Sequence, residues 1–394
     1  MTFSLLLDLD DTLLDTNIDS FIPAYFKKLA GHMAPHAAPD KFINALLKST
    51  QIMYGSTRTD RTLEQVFSEN FYPDLDTSRE NLAAEIDRFY DEVFPSLSSL
   101  TTPRPEAVEL VQWAFSRGWN VAVATDPLFP RKAIDHRLRW AGLAPEQYPF
   151  TLVSDFQNFH FAKASVAYYP EFLAKMNWVD GPVLMVGDSL ERDVVPSQQA
   201  GLPIYWLDNS GTRRDGIESG WYRDLQRYLE NTDLDTLKVD YSSTQAIIAF
   251  LQAAPGVMHN YEMRYMHENK TSAPRDGGWS MLEILCHLRD CDKDLFIPRA
   301  EAILREDRPT LHGVDTEPWV LERDYTGQNI QQVFAEYVEN RKNLVSLLLS
   351  ISADDWNRQA FHTESGPTSL YNVMLYDLNH DRDHFQQSRK LYQL

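Results

Sequence analysis

Carboxylate side chains directly follow two of the short apolar runs in this sequence. Asp8 and Asp10 come after the run at residues 3–7, and Asp188 comes after the run at residues 183–187. Apolar runs of this length are typical of strands buried in a parallel sheet, whose carboxyl ends meet at one edge. Carboxylates gathered there repel one another, and a hard cation with oxygen ligands would offset that repulsion. The sequence therefore predicts a metal-assisted site at this edge.

A hydroxyl and an amine are expected to join those carboxylates. Thr125 ends a third apolar run, where its hydroxyl can donate a hydrogen bond to a phosphoryl oxygen. Lys163 lies in a polar segment before a predicted helix, and a compact ammonium there would screen Asp8 and hold a transferring phosphoryl group. Arg131 and Lys132 are alternatives, but they follow a proline-rich turn and are expected to face solvent.

These segments resemble, in type and order, the four motifs of the haloacid dehalogenase-like (HAD) hydrolases. The resemblance covers roughly the first 235 residues and implies a Rossmann-like α/β core with a parallel sheet and a helical cap. It also implies a Mg²⁺ site made by the side chains of Asp8 and Asp188 and the backbone carbonyl of Asp10. Asp193 is expected at the same site, where it would orient Lys163 or a metal-bound water.

Two positions depart from the family pattern. Asp126 stands where asparagine often follows the threonine, and Ala164 stands where proline commonly follows the lysine. A further negative charge at Asp126 makes recognition of an anionic substrate by the backbone there doubtful.

The residue at position 10 favours one reaction among those of the family. A dehalogenase has no alkoxide to protonate, whereas a phosphatase must protonate its leaving alcohol and then activate water. Asp10 supplies the carboxyl group for those proton transfers, and Asp8 is the expected nucleophile. The N-terminal part is therefore predicted to hydrolyse a small phosphorylated metabolite through an aspartyl-phosphate.

Periodic apolar positions predict the elements around this site. Residues 17–100 contain four helix-like stretches, which resemble the cap that closes over many HAD active sites, excludes water and selects the substrate. The polar stretch at 231–243 marks a boundary near residue 238. The expected domains are a HAD-like hydrolase at 1–238 and an all-α second domain at 239–394.

The second domain carries three histidines that can share an ion. His380 and His384 are four residues apart on one predicted helix, and His287 lies on the apolar stripe of another. Imidazoles that converge inside a bundle are difficult to satisfy without a metal. Four amphipathic stretches predict a four-helix bundle, with a break at Pro255 in the first and a capping box at the start of the second. They cover residues 244–267, 280–304, 330–350 and 369–392.

The segments around these histidines, residues 279–288 and 380–387, resemble the DinB-like (YfiT-like) bundle family. The resemblance implies a divalent transition metal, Zn²⁺ or Ni²⁺, bound by His287, His380 and His384 with an open position for water or substrate. It also makes a thiol-transferase-like activity one expectation for this domain. Cys291, one turn beyond His287, is an alternative fourth ligand, although a plain buried thiol is the expectation.

Composition excludes several classes of partner. A formal net charge of −20 argues against binding to nucleic acid, which relies on clustered Lys and Arg. The apolar runs are too short to span a membrane, and no basic segment precedes the first, so neither a membrane contact nor a signal peptide is expected. Two cysteines cannot form a disulfide framework and favour a reducing, cytoplasmic location.

Two other interpretations remain beside an enzyme with both sites. The chain would be a regulatory or binding protein if the hydrolase core is idle and the bundle serves homodimerisation or ligand binding. Alternatively, the bundle alone turns over a substrate and the core senses phosphate. A complete set of chemically active residues favours the enzyme; these are Asp8, Asp10, Thr125, Lys163, Asp188 and Asp193.

Overall fold

The computed structural model describes residues 2–176, 181–268 and 278–392. The chain divides into an N-terminal unit, Met1–Phe172 with Val179–Val239, and a C-terminal unit, Leu173–Trp178 with Asp240–Leu394. Within the described ranges, every helix is too short or too polar to cross a membrane.

A five-stranded parallel sheet forms the centre of the N-terminal unit. The strands of this unit are β1 (Ser4–Leu7), β2 (Leu14–Thr16), β3 (Thr101–Pro103), β4 (Asn120–Val123), β5 (Val183–Gly187), β6 (Ile204–Leu207) and β7 (Glu218–Gly220). The sheet has the order β4-β1-β5-β6-β7. Leu7 of β1 lies in register with Val123 of β4 and Val186 of β5. The predicted parallel sheet is confirmed, and the residues after these three strands meet at one edge.

A tight turn and a small hairpin connect β1 to the cap. Asp11 adopts a left-handed backbone conformation with φ of 56°, and its Oδ1 accepts the amide hydrogen of Thr16 at 3.0 Å. β2 and β3 pair in antiparallel fashion, so the chain leaves and re-enters the core side by side.

Four helices between β2 and β3 form the cap. They are α1 (Ile18–Met33), α2 (Pro39–Tyr54), α3 (Leu63–Asp74) and α4 (Arg79–Arg88). A buried aromatic cluster that includes Phe21, Phe42, Phe71 and Phe89 holds them together. The helical cap predicted from apolar periodicity is therefore present.

Five further helices accompany the sheet. They are α5 (Pro105–Ser116), α6 (Arg131–Trp140), α7 (Tyr168–Lys175), α8 (Val195–Gln199) and α9 (Tyr222–Asn231). Leu110 of α5, Leu138 of α6 and Leu225 of α9 pack in one buried cluster with Leu5 and Leu7 of β1. This burial anchors the central strand from which the candidate site extends.

Long helices make up most of the C-terminal unit. The helices are α10 (Thr244–Glu268), α11 (Met281–Cys291), α12 (Ile297–Arg305), α13 (Trp319–Glu322), α14 (Ile330–Ser350) and α15 (Leu370–Tyr392). The predicted capping box at the start of α11 is confirmed. The Oγ of Ser280 accepts the amide hydrogen of Glu283 at 3.3 Å, and Oε2 of Glu283 accepts that of Ser280 at 2.7 Å.

Three features of this unit differ from the sequence prediction. The predicted break at Pro255 is wrong, because α10 continues through it with Ala254 and Val257 buried on either side, and this packing offsets the lost hydrogen bond. The stretch predicted as one helix at 280–304 contains a π-helical turn, Asp292–Phe296, between α11 and α12. A small sheet of order β10-β9-β8 was not predicted; its strands are β8 (Thr310–Leu311), β9 (Gln359–His362) and β10 (Gly366–Ser369).

Candidate functional site

The ammonium group of Lys163 lies between two carboxylates at the carboxyl edge of the parallel sheet. Its Nζ is 2.5 Å from Oδ1 of Asp8 and 2.5 Å from Oδ1 of Asp193. Lys163 and Asp193 are each 1% exposed. Burial alone would lower the pKa of Lys163, but Asp193 and Asp8 outweigh it and raise the pKa. The lysine is therefore a fixed positive charge beside the candidate nucleophile.

The two alternative cations pair with carboxylates elsewhere. Lys132 lies 2.6 Å from Oδ1 of Asp87, and Arg131 lies 2.7 Å from Oδ1 of Asp135. Both cationic side chains are partly exposed to solvent. Of the three candidates, the structure brings Lys163 to the carboxylate cluster.

Asp193 owes its position to strand register and to one glycine. The amide of Asp8 donates to the carbonyl oxygen of Val186 at 2.9 Å, which extends the pairing of β1 with β5. A Cβ added at Gly187 would lie 2.3 Å from Cγ of Asp193, so the glycine allows the carboxylate to pack against the backbone. The amide of Ser189 donates to Oδ2 of Asp193 at 2.8 Å and fixes it there.

Replacing Gly187 by alanine is expected to destabilise the protein by about 1–3 kcal/mol, because the new Cβ overlaps Asp193 and pushes the carboxylate from Lys163. Urea unfolding followed by circular dichroism would measure the loss as a lower midpoint. Gly55→Ala is a matched control, since a Cβ there meets no heavy atom closer than the carbonyl oxygen of Gln51 at 3.7 Å. Equal midpoints for the two variants would contradict this account of Gly187.

Three carboxylates and one ammonium leave an excess of negative charge in the cluster. Oxygens of Asp8, Asp188 and Asp193 lie within 4.8 Å of one another. Burial and the nearby Asp8 raise the pKa of Asp188 to about 7, and burial raises the pKa of Asp193 to about 6. Burial is the largest cause of both shifts, and the negative charge of Asp8 adds to each of them. The all-oxygen donor set fits a hard divalent cation such as Mg²⁺.

The segment that follows β4 is itself held by hydrogen bonds, and it binds the backbone amide of Lys163. Thr125 is buried, and its carbonyl oxygen accepts hydrogen bonds from Oγ of Ser154 at 2.7 Å and from the Tyr168 hydroxyl at 3.0 Å. Oδ1 of Asp126 accepts the amide hydrogen of Lys163 at 3.0 Å. The departure from the family pattern at Asp126 thus has a structural role, which is to hold the lysine segment.

The three histidines of the bundle lie together. Nε2 of His287 is 2.9 Å from Nε2 of His380, and the ring centre of His384 is 4.7 Å from that of His287 and 4.6 Å from that of His380. Burial and neighbouring imidazoles lower the pKa of His287 to about 2 and that of His384 to about 4. These two rings are neutral at pH 7, which is the form that ligates metals. The donor set fits a divalent transition metal.

A sulfur atom approaches the same group of imidazoles. Sγ of Cys291 is 3.5 Å from Nε2 of His287, and potential ligand atoms of His287, Cys291 and His380 lie within 4.8 Å of one another. His384 uses Nδ1 to bond Oε1 of Gln387 at 2.9 Å, which leaves its Nε2 as the nitrogen available to a metal.

A family model described as haloacid dehalogenase-like hydrolase matches residues 4–201, half of the chain. The chain belongs to the haloacid dehalogenase-like hydrolases. A second family model, the DinB superfamily, matches residues 221–388 of this hydrolase. Both resemblances inferred from the sequence are confirmed.

The hydrolase is similar to several known proteins over part of its length. A candidate metal-dependent hydrolase from Oceanobacillus iheyensis is 26% identical over 129 residues, which are 32% of this chain and 73% of the relative. A HAD phosphatase structure from Thermococcus onnurineus is 20% identical with a TM-score of 0.37, over 58% of this chain and 98% of its own. YfiT from Bacillus subtilis, which has an unusual four-helix bundle topology, is 21% identical with a TM-score of 0.34, over 39% and 90% of the two chains.

A buried arginine in the hydrolase core was missed by the sequence analysis. Arg137 on α6 forms an ion pair with Asp10 and is 1% exposed. Its guanidinium lies 5.4 Å from the ring centre of Phe21 and 5.3 Å from that of Phe129, and burial lowers its pKa to about 10. The available signal was its spacing on α6, which places Arg137 on the buried face with Ile134.

A second buried pair, between a histidine and a glutamate, lies close to Lys163 in the sequence. Nδ1 of His160 is 2.7 Å from Oε1 of Glu171, and Oε2 of Glu171 accepts the amide hydrogen of His160 at 3.1 Å. Neither side chain is exposed. The pair therefore ties the segment that carries Lys163 to helix α7.

A cavity of about 1130 Å³ lies between the cap and the hydrolase core. Tyr25 of the cap and Phe129 of the core are among the residues that line it. Its lining in the described part of the chain includes neither Asp8 nor Lys163, so the cavity and the carboxylate cluster are separate features. Phe129, whose ring packs against Arg137, connects the two.

Proposed function

We propose that the N-terminal unit is a Mg²⁺-dependent hydrolase of phosphomonoesters that acts on a small phosphorylated metabolite. The observation that carries this proposal is the ammonium of Lys163, held 2.5 Å from the carboxylates of both Asp8 and Asp193. A buried positive charge next to a carboxylate nucleophile is suited to stabilise the charge that develops on phosphoryl oxygens.

Asp8 is the nucleophile in this proposal. Its carboxylate attacks phosphorus as the ester P–O bond breaks, which forms an aspartyl-phosphate and releases an alcohol. Water then attacks the same phosphorus, and the bond to Asp8 breaks to give inorganic phosphate and the original carboxylate. Lys163 neutralises phosphoryl charge in both steps, Asp193 positions Lys163, and the hydroxyl of Thr125 donates to a phosphoryl oxygen. Asp8, Asp188 and the Asp10 carbonyl would hold Mg²⁺, with Asp193 beside them, and the ion would supply further charge neutralisation.

Asp10 moves the protons that this sequence of steps requires. It donates one to the leaving alcohol in the first step and accepts one from the attacking water in the second. The ion pair with Arg137 fixes the position of the Asp10 carboxyl group for these transfers. The cavity beside Phe129 is the proposed location for the part of the metabolite beyond its phosphate.

Hydrolysis of p-nitrophenyl phosphate by the full-length protein tests the proposal. Release of p-nitrophenol is expected to require added Mg²⁺, to stop when EDTA is added in excess, and to resume when Mg²⁺ is restored. A panel of metabolite phosphates would then identify the preferred ester. The absence of turnover on every ester in excess Mg²⁺ would favour the alternative of a binding or regulatory protein.

We expect Mg²⁺ to raise the melting temperature more at about pH 7.5 than at about pH 5.5. The pKa of Asp188 is raised from 3.8 to about 7 and that of Asp193 from 3.8 to about 6, so the metal-free native state binds more protons than the unfolded state in this range. The stability that these bound protons give the native state is fully present below about pH 4 and is lost as the pH rises through about 7. At the higher pH a bound cation would replace the protons and restore stability.

Thermal denaturation with and without MgCl₂ at the two pH values measures this effect. Asp188→Asn removes one of the titrating groups and a ligand, so it should abolish most of the response to Mg²⁺. A response of equal size at both pH values in the native sequence would contradict the assignment of the cation site.

We infer that the C-terminal unit binds one divalent transition metal, Zn²⁺ or Ni²⁺, through His287, His380 and His384. The 2.9 Å separation of Nε2 of His287 and Nε2 of His380 supports this, because it brings two buried imidazole nitrogens close enough to ligate one metal ion. The buried carboxylate of Asp381 lies 3.9 Å from Nδ1 of His380 and favours a proton there, which leaves Nε2 as the ligand atom.

Elemental analysis of protein purified without chelators is expected to find about one transition metal ion per chain. The double variant His380→Ala, His384→Ala should lose it, because two of three ligands are gone. A double variant of two exposed histidines, His267→Ala with His312→Ala, is the matched control and should keep the metal. Metal-free native protein, or equal metal content in both double variants, would contradict the assignment.

A further inference from the structure

The side chain of Cys291 is part of the same buried group as the bundle histidines. It lies four residues after His287 on α11, so the two side chains share a helix face. Sγ is 3.5 Å from Nε2 and 3.8 Å from Nδ1 of His287, and Cys291 is 2% exposed. The chain has one other cysteine, Cys286, whose Sγ lies 3.9 Å from the carbonyl oxygen of Tyr325.

The nitrogen–sulfur separation matches the edge of a tetrahedral metal site, and the nitrogen–nitrogen separation is somewhat shorter than that edge. With metal–nitrogen bonds of about 2.0–2.1 Å and a metal–sulfur bond of about 2.3 Å, two nitrogen ligands lie about 3.3 Å apart, and a nitrogen and a sulfur ligand about 3.5 Å apart. The structure places Nε2 of His287 2.9 Å from Nε2 of His380 and 3.5 Å from Sγ of Cys291. All three ligand atoms lie within 4.8 Å of one another.

We propose that Cys291 is a thiolate ligand of the bundle metal and completes a four-coordinate site with His287, His380 and His384. This proposal rests on the metal site inferred above and adds one ligand to it. Potential ligand atoms of His287, Cys291 and His380 lie within 4.8 Å of one another, which is close enough for one ion to bind all three. Coordination to a divalent cation removes the thiol proton to solvent, so the bound group is a thiolate.

The buried charges behind His380 also favour a cation at this point. Arg341 contacts three buried carboxylates, with Nη2 2.7 Å from Asp292, Nη1 3.3 Å from Asp377 and Nη2 3.1 Å from Asp381. One guanidinium faces these three carboxyl groups, and Oδ1 of Asp381 lies 3.9 Å from Nδ1 of His380. A divalent cation would reduce that excess negative charge.

A thiolate ligand has two consequences for the bundle. Sulfur and nitrogen ligands select a softer metal, such as Zn²⁺, than the all-oxygen cluster around Asp8, so the two units would take different ions. A site with four protein ligands has no open position, which is the pattern of a structural metal. The thiol-transferase-like activity expected from the family resemblance would then require one ligand to leave.

Cobalt substitution of the full-length protein tests the proposal. Co²⁺ bound to a thiolate absorbs in the near ultraviolet through sulfur-to-metal charge transfer, whereas Co²⁺ bound to oxygen and nitrogen ligands shows only weak visible bands. The native sequence is expected to show the charge-transfer absorption, and Cys291→Ser is expected to lose it while keeping visible bands. Cys286→Ser, the other buried cysteine of α11, is the matched control and should leave the spectrum unchanged.

The spectra distinguish failure of this proposal from failure of the metal site. Visible cobalt bands that depend on His380, without charge-transfer absorption in the native sequence, would overturn the role of Cys291 and leave the three-histidine site intact. The absence of any His380-dependent binding would overturn both. As a second measurement, competition with a chromophoric chelator should show that Cys291→Ala weakens Zn²⁺ binding at least about tenfold, and an unchanged affinity would also overturn the proposal.

Discussion

Replacing Asp8 by asparagine is expected to lower kcat for phosphate ester hydrolysis by at least about 1000-fold. Asparagine keeps the size of the side chain, but its amide is a poor nucleophile and carries no charge for Lys163 to pair with. The turnover that remains would come from binding and positioning alone. Initial rates with p-nitrophenyl phosphate at saturating Mg²⁺ measure the loss.

Asp11→Asn is the matched control for that variant. It makes the same chemical change in the same turn, and asparagine tolerates the left-handed backbone at this position, where φ is 56°. The side-chain oxygen can still accept the amide hydrogen of Thr16. We expect turnover close to that of the native sequence. If Asp8→Asn were equally active, the nucleophile would be misassigned.

Replacing Lys163 by methionine is expected to lower activity at least about 100-fold and to destabilise the metal-free protein by about 3–5 kcal/mol. Methionine fills similar volume but leaves the buried carboxylates of Asp8 and Asp193 without their cation. Added Mg²⁺ should recover part of the stability, because it also offsets the carboxylate charge. It should not recover activity, since the ammonium at the phosphoryl group is still missing. Urea unfolding and steady-state rates, each with and without Mg²⁺, measure the two effects.

Lys132→Met is the matched control for the lysine variant. Lys132 pairs with Asp87 and Asp91 at distances of 2.6 and 3.0 Å, but these side chains are largely exposed. Exposed ion pairs contribute at most about 1 kcal/mol, so stability and kcat should change little. Because Lys132 lines the cavity proposed for the metabolite, any change in activity is expected in KM. A larger loss of activity in Lys132→Met than in Lys163→Met would contradict the placement of the catalytic cation.

The carboxylate cluster could be predicted because the ends of buried strands can be recognised in a sequence. Asp8 and Asp188 each follow a short apolar run, and parallel strands bring such positions to one edge whatever the surrounding loops do. The order of segments was enough to select Lys163 over its neighbours. In the bundle, the spacing of His380 and His384 indicated that they share a helix face, and the capping box at Ser280 indicated a helix start. Both signals lie within a few residues of sequence.

Features that depend on distant partners could not be anticipated in the same way. Arg137 and Asp10 meet through the packing of α6 under the cap, and neither residue's neighbours in sequence indicate the pair. Asp126 was judged by its charge, whereas in the structure it accepts a hydrogen bond from the Lys163 amide. The helix through Pro255 depends on tertiary burial that outweighs a local preference. The strands β8 to β10 are too short to show a pattern.

Arg137 connects the cap to Asp10, the proposed proton-transfer group. Its guanidinium lies over Phe21, which belongs to cap helix α1, and over Phe129 of the core, and it is paired with Asp10. Residues with a shared partner are energetically coupled, so substitutions at Phe21 and at Asp10 are not additive. If Asp10 transfers protons as proposed, mutations of the cap that change substrate preference would therefore also alter this group, and this epistasis would restrict the order in which substrate preference can evolve.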